Sequence, residues 1–176
     1  DPARRPRYIV SGVPVTVLGE RVQYLGPDGR LITESLTDYA RSRITDRFRN
    51  LDAFLAAWSD AEKKQVIVTE LEEQGVFFDE LRDTVEKTHP GAFDPFDLVC
   101  HVAFDRPPLT RRERAENVKK RHVFATYGEQ SRRVIEILLE KYADEGLAAV
   151  EDIGVLAAPP FDQVGMPLEL VKSFGG

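Results

Sequence analysis

Phe93-Asp94-Pro95-Phe96-Asp97-Leu98-Val99-Cys100-His101-Val102-Ala103-Phe104 is the most apolar run of the sequence. It reads as a helix because Asp94 is a natural N-cap and Pro95 suits the first helical position. Arg106-Pro107-Pro108 ends it. A helix apolar on so much of its surface belongs in a core, so the neighbouring segments are expected to pack around this one.

The periodicity stays helical downstream. Thr110-Arg111-Arg112-Glu113 is a capping box, in which the Thr oxygen and the Glu carboxylate each satisfy an orphan backbone N–H. It is expected to open a long basic helix running to about Ala125, with a break at Gly128. A helix over about 129–144 carries Val134, Ile135, Leu138, Leu139 and Tyr142 at helical spacing and stops at Gly146. Short helices are expected near 147–152 and 167–174, with Pro159-Pro160 between them and Gly175-Gly176 after the last.

Upstream, a helix over about 34–48 carries Leu36, Tyr39, Ala40, Ile44 and Phe48, and another after Asn50 carries Leu51, Phe54, Leu55 and Trp58. Ser59-Asp60-Ala61-Glu62 has the letters of a second capping box, expected to start a helix through Val66, Ile67, Glu70 and Leu71 that stops at Gly75. Residues 78–88 form the last helix before Pro90. Before Thr33 the pattern is that of strands: Tyr8-Ile9-Val10, Val13 to Leu18, Arg21 to Leu25 and Arg30 to Thr33 are rich in β-branched and aromatic residues. Gly26-Pro27-Asp28-Gly29 is a turn sequence. A hairpin over 20–33 is marginal alone and must pack on something. The expected class is mostly α: a multi-helix domain with a short N-terminal β-meander. The organisation is a basic linker at 1–7 that suits the interior of a longer protein, the meander at 8–33, and a helical C-terminal domain at 34–176.

The 176 residues are enough for one domain with a sizeable core, and the 42% apolar and 31% charged residues are ordinary for a globular chain. Cys100 is the only cysteine, so no internal disulfide forms. With no signal peptide and no apolar run near the ~20 residues of a membrane span, the expected location is cytoplasmic. The net charge of −6 repels nucleic acid overall, so any contact with DNA needs a local patch.

Several catalytic chemistries find little support. A phosphate loop ends in Gly-Lys-Ser/Thr, and the dipeptide Gly-Lys does not occur. A restriction-type nuclease needs Pro-Asp and Glu-x-Lys on adjacent strands, to hold a metal beside the attacking water. Pro27-Asp28 and Glu62-Lys63-Lys64 supply the letters, but one sits in a turn and the other at a helix start, which favours coincidence. Asp94, Asp97, His101 and Asp105 have metal-ligand spacing on one helix face. The simpler reading makes Asp94 a cap, Asp97 a partner of the helix dipole and His101 an ordinary packed or surface histidine. Cys100 has no partner motif for a catalytic thiol, and no catalytic, cofactor-binding or metal-binding residue is assigned.

The charged feature above background is residues 106–122. Arg106, Arg111, Arg112, Arg114, Lys119, Lys120 and Arg121 stand there against Glu113 and Glu116, seven minus two, or plus five. A solvated helix face, an acidic protein partner or phosphate would each suit such a patch.

Several segments in order resemble the C-terminal domain of the R (restriction) subunit of type I restriction enzymes, in the EcoEI-like branch. They are Gly12-Val13-Pro14-Val15, Arg21 to Leu25, Leu31 to Tyr39, Leu71 to Val76, Phe93 to Leu98, Pro107 to Ala115, Tyr142 to Gly146 and Phe174-Gly175-Gly176. The resemblance implies a parent subunit that cleaves and translocates DNA, with nuclease and ATP-driven motor, and so ATP and Mg, in parts upstream of this chain. It implies that this domain anchors the subunit to a methyltransferase–specificity core. It supplies no catalytic residue here. The expectation is a docking domain whose seven basic residues are the candidate contacts, helped by the segment near Phe96. Charge reversal of Arg111, Arg112 and Arg114 is then expected to weaken assembly without unfolding. The alternatives are a DNA-binding module that guides duplex to the motor and a purely structural cap.

Overall fold

The computed structural model describes residues 7–61 and 63–152. The expected helix at 167–174 and the linker before Arg7 lie outside them. Four strands form an antiparallel meander in the order β1-β2-β3-β4: β1 (Arg7–Val10), β2 (Val13–Leu18), β3 (Arg21–Leu25) and β4 (Leu31–Ser35). The turn between β3 and β4 closes through the Gly29 N–H on the Gly26 carbonyl at 2.9 Å, with Gly29 at φ +80°. Alternation puts Val10, Val15, Val17 and Val22 on the buried face.

The described residues after β4 are mainly helical: α1 (Leu36–Arg47), α2 (Leu51–Asp60), α3 (Lys64–Glu73), α4 (Phe78–Glu86), α5 (Pro95–Phe104), α6 (Arg111–Lys119), α7 (His122–Ala125), α8 (Glu129–Glu145) and α9 (Leu147–Asp152). The expected mostly helical class with an N-terminal meander is the one observed. The sheet packs on its own helices. α1 lies against β3 and β4, Tyr8 stacks on Phe77 with centroids 4.3 Å apart, and Tyr24 meets Tyr39 at 5.4 Å.

α5 is the buried centre, with Phe96, Leu98, Val99, Val102 and Ala103 in the core. α1 and α4 flank it. Phe54 of α2 lies over Phe96 at 5.6 Å and Trp58 meets the same ring at 5.1 Å. Burying such rings contributes a large share of core stability.

Local signals explain most helix ends. Ser35, Asn50 and Asp94 accept N-terminal backbone N–H groups of α1, α2 and α5, and Thr110 with Glu113 forms the complete capping box of α6. α3 ends in a Schellman motif: the Val76 N–H reaches the Leu71 carbonyl, the Gly75 N–H reaches that of Glu72, and Gly75 sits at φ +106°.

Three expectations need correction. α1 starts at Leu36, not near 34, because β4 stays paired through Ser35 opposite Arg21. Ser59 caps no helix. It lies in the last turn of α2, which runs on because Trp58 is buried and the Ala61 N–H still bonds back to Ala57; α3 starts at Lys64 with no side-chain cap. The basic helix does not reach Ala125 unbroken. It stops at Lys119, where the Arg121 N–H turns to Val118, and a new turn begins at His122. At ~100° per residue, an unbroken helix would aim Phe124 ~150° away from the Ala115–Val118 stripe. The break lets Phe124 reach the core.

Candidate functional site

The basic segment folds onto the acidic end of α5, and this divides its seven cations into two groups. Arg114 shares its helical face with Val118, four residues on, and points inward. Its Nη2 lies 2.6 Å and its Nε 3.1 Å from Asp97 Oδ1, with side chains 14% and 3% exposed. The guanidinium also sits over the Phe96 ring, 5.3 Å from its centroid. Burial pushes the Asp97 carboxyl up to about 6, against the pull of Arg114.

Asp94 is the second buried carboxylate. One oxygen accepts the Phe96 N–H as cap of α5 and the other accepts the Leu147 N–H at the start of α9, 3.0 Å away. Burial raises its pKa in spite of these bonds. Arg111 closes the same corner from the other side. Its Nε and Nη2 donate to the Ala143 and Asp144 carbonyls at 3.2 and 2.9 Å, satisfying the C-terminus of α8. Arg112 pairs with Glu140 at 2.9 Å and Asp144 at 3.1 Å on the surface, and Lys119 lies 3.4 Å from Glu116. His89 Nε2 donates to Glu113 at 2.9 Å, which with the Thr110 N–H holds the Glu113 carboxyl below its ordinary range.

Arg111, Arg112, Arg114 and Lys119 are therefore engaged within the domain. Arg106, Lys120 and Arg121 are exposed and make no side-chain ion pair among the described residues. Arg106 and Arg121 border a groove of about 340 Å³ whose apolar lining includes Leu51, Leu55, Phe96 and Leu109. The structure thus joins the basic segment to the Phe96 region. Such a groove can take an apolar side chain along with carboxylates or phosphates that pair with the two guanidinium groups.

The four residues with metal-ligand spacing separate. Asp94 caps, Asp97 binds Arg114, His101 Nδ1 donates to the Arg106 carbonyl at 2.8 Å, and Asp105 pairs with Arg41 at 3.0 Å. Among the described residues no group of three His, Cys, Asp or Glu gathers as metal ligands would. Burial pushes the Cys100 thiol up to about 12, so it is not a thiolate at neutral pH. Pro27-Asp28 lies in the β3–β4 turn and Lys64 opens α3, so these letters do not sit on adjacent strands. Among the described residues no helix is long and apolar enough to cross a membrane.

The Asp97–Arg114 pair was missed in the sequence, although two signals pointed to it. A carboxylate inside an otherwise apolar helix needs a cation partner, and Arg114 stands in register with the apolar stripe of α6.

Comparison with known proteins gives the setting. The chain is 44% identical over 173 residues to the type I restriction enzyme EcoAI endonuclease subunit of Escherichia coli, covering 98% of this chain and 21% of that protein. The chain thus spans about a fifth of the length of this curated relative. No solved structure matches. Residues 34–176 match the model described as EcoEI R protein C-terminal, and with most of the sequence inside that match the chain belongs to the EcoEI R protein C-terminal family of type I restriction enzyme R subunits.

Proposed function

We propose that this domain docks an R subunit onto the methyltransferase–specificity core of a restriction–modification complex, through the groove between Arg106 and Arg121. The groove carries the reading. It pairs an apolar floor at Phe96 and Leu109 with cations that have no ion-pair partner among the described residues, as a protein contact needs. Lys120 adds charge beside it. In this reading the nuclease and the ATP-driven motor, with ATP and Mg, belong to other parts of the subunit. Absence of the Gly-Lys dipeptide supports that division. The cytoplasm is the compartment the reading requires.

The test is gel filtration of the intact R subunit with the core, without DNA, at two salt concentrations. Co-elution that weakens as salt rises is the expected result. If the subunit joins the core only when duplex is present, the docking reading fails and the basic residues guide DNA instead. In that case affinity falls by about 0.9 log unit per phosphate contact for each log unit of salt.

A further inference from the structure

The meander has a second, outward face that no helix among the described residues covers. Ile9 pairs with Pro14 and Leu25 with Leu31, and by the β2–β3 register Pro14 falls beside Leu25. These four make one apolar row across all four strands. Ile9, Leu25 and Leu31 are 65%, 56% and 61% exposed. Beside it runs a polar row in which Arg7 pairs with Thr16, and Gln23 pairs with Thr33 and bonds its hydroxyl at 3.2 Å. The outward positions of the strands include the cations Arg7 and Arg21 and no carboxylate. Glu34, the one acid in the strands, turns inward and accepts from the Tyr24 hydroxyl at 2.7 Å.

A contiguous apolar row on a sheet marks a contact surface. Charge and composition narrow the occupant. Asp28, in the turn beside Leu25 and Leu31, is paired to Arg30, so the charges left over on this face are those of Arg7 and Arg21. An apolar patch edged by such cations is complementary to an apolar patch with carboxylates around it. Nucleic acid fits less well, because both tyrosines of the strands turn inward and leave no ring for base stacking. The family match begins at residue 34, after most of the sheet, while similarity to the EcoAI subunit runs through the sheet and covers only 21% of that subunit.

We infer that this outer face is an intramolecular docking surface, covered in the whole subunit by an apolar, carboxylate-rimmed surface from outside the present 176 residues. The inference rests on membership of the R-subunit family and not on the Arg106–Arg121 groove. Its test contains no core, so the two fail separately.

The experiment uses the full R subunit with a photoreactive benzoylphenylalanine in place of Leu31. Illumination of the free subunit is expected to give intramolecular cross-links that map outside this chain. Leu25→Glu with Leu31→Glu is expected to speed proteolytic release of the C-terminal domain about tenfold, equivalent to ~1.4 kcal/mol of lost contact. Leu25→Thr with Leu31→Thr keeps strand propensity and shifts release the same way. Absence of a cross-link outside the chain overturns the inference, as does cross-linking that appears only with added duplex or core, or an unchanged release rate in both variants.

Discussion

Arg114 Nη2 lies 2.6 Å from Asp97 Oδ1, and this contact pins α6 to the middle of the core rather than offering a cation to a partner. The densest charge in the sequence is thus partly structural. Removing one member of a buried pair leaves the other uncompensated, at a cost of about 3–5 kcal/mol. Urea unfolding is expected to show that loss for Arg114→Ala and for Asp97→Ala. The double change Asp97→Leu with Arg114→Met should recover most of it. Arg112→Ala, whose pairs are exposed, should stay close to the parent. If Arg114→Ala is no worse than Arg112→Ala, the pair is not holding α6.

Asp97 also sets a pH dependence with a definite sign. Its carboxyl is raised to about 6 by burial, above the ~3.9 of an unfolded chain. A raised pKa means the folded state binds the proton more tightly. The contribution is therefore full below about pH 4 and is lost as pH rises through about 6, a change of roughly 2–3 kcal/mol. The stability difference between the parent and Asp97→Asn should shrink by that order between pH 4.5 and 7.5, read from urea midpoints. A difference that grows with pH contradicts the assignment.

The corner at Asp94 joins four helices, α5 to α9 through the Asp94 carboxylate and α6 to α8 through Arg111. Asp94→Ala removes the acceptor for the Phe96 and Leu147 N–H groups together, so the cost of a lost cap, ~1 kcal/mol, adds to a buried unsatisfied donor at ~1–3 kcal/mol. Gly146→Ala strains the same corner, since Gly146 has φ +96° and a Cβ there meets Arg111 Nη1 at 3.2 Å. Both variants should lower the thermal midpoint, and hydrogen exchange should rise first at the Leu147 amide. Protection of that amide in Asp94→Ala equal to the parent's would contradict this.

Gly75 gives a stricter test of the backbone. At φ +106°, a Cβ would lie 2.9 Å from the Tyr39 ring. Gly75→Ala is expected to cost more than the ~1 kcal/mol typical of left-handed strain, by thermal or urea unfolding. A neutral result would mean that α3 does not end against Tyr39.

Much of this architecture was legible because it is local. Asn50, Asp94-Pro95, Thr110 with Glu113, and the Gly26–Gly29 turn act within four residues of themselves, and each operates as the sequence pattern says. Ser59 to Glu62 shows where local letters mislead: burial of Trp58 carries α2 through the supposed cap. The candidate surface was harder to read. Counting charge along 106–122 treats every cation as available, yet Arg111, Arg112 and Arg114 find partners 17 to 33 residues away. Those partnerships arise only when α6 lies across α5 and α8. The same packing is what sets Arg106 and Arg121 beside a groove floored by Phe96.

The docking account is tested most directly by the double charge reversal Arg106→Glu with Arg121→Glu in the intact R subunit, assayed for assembly with the methyltransferase–specificity core. Arg132→Glu on the exposed side of α8 serves as the matched control, and circular dichroism verifies the fold of each. The account predicts that the double variant stays folded and loses co-elution with the core while the control keeps it. A folded double variant that assembles as the parent does would contradict the claim that this groove is the docking site.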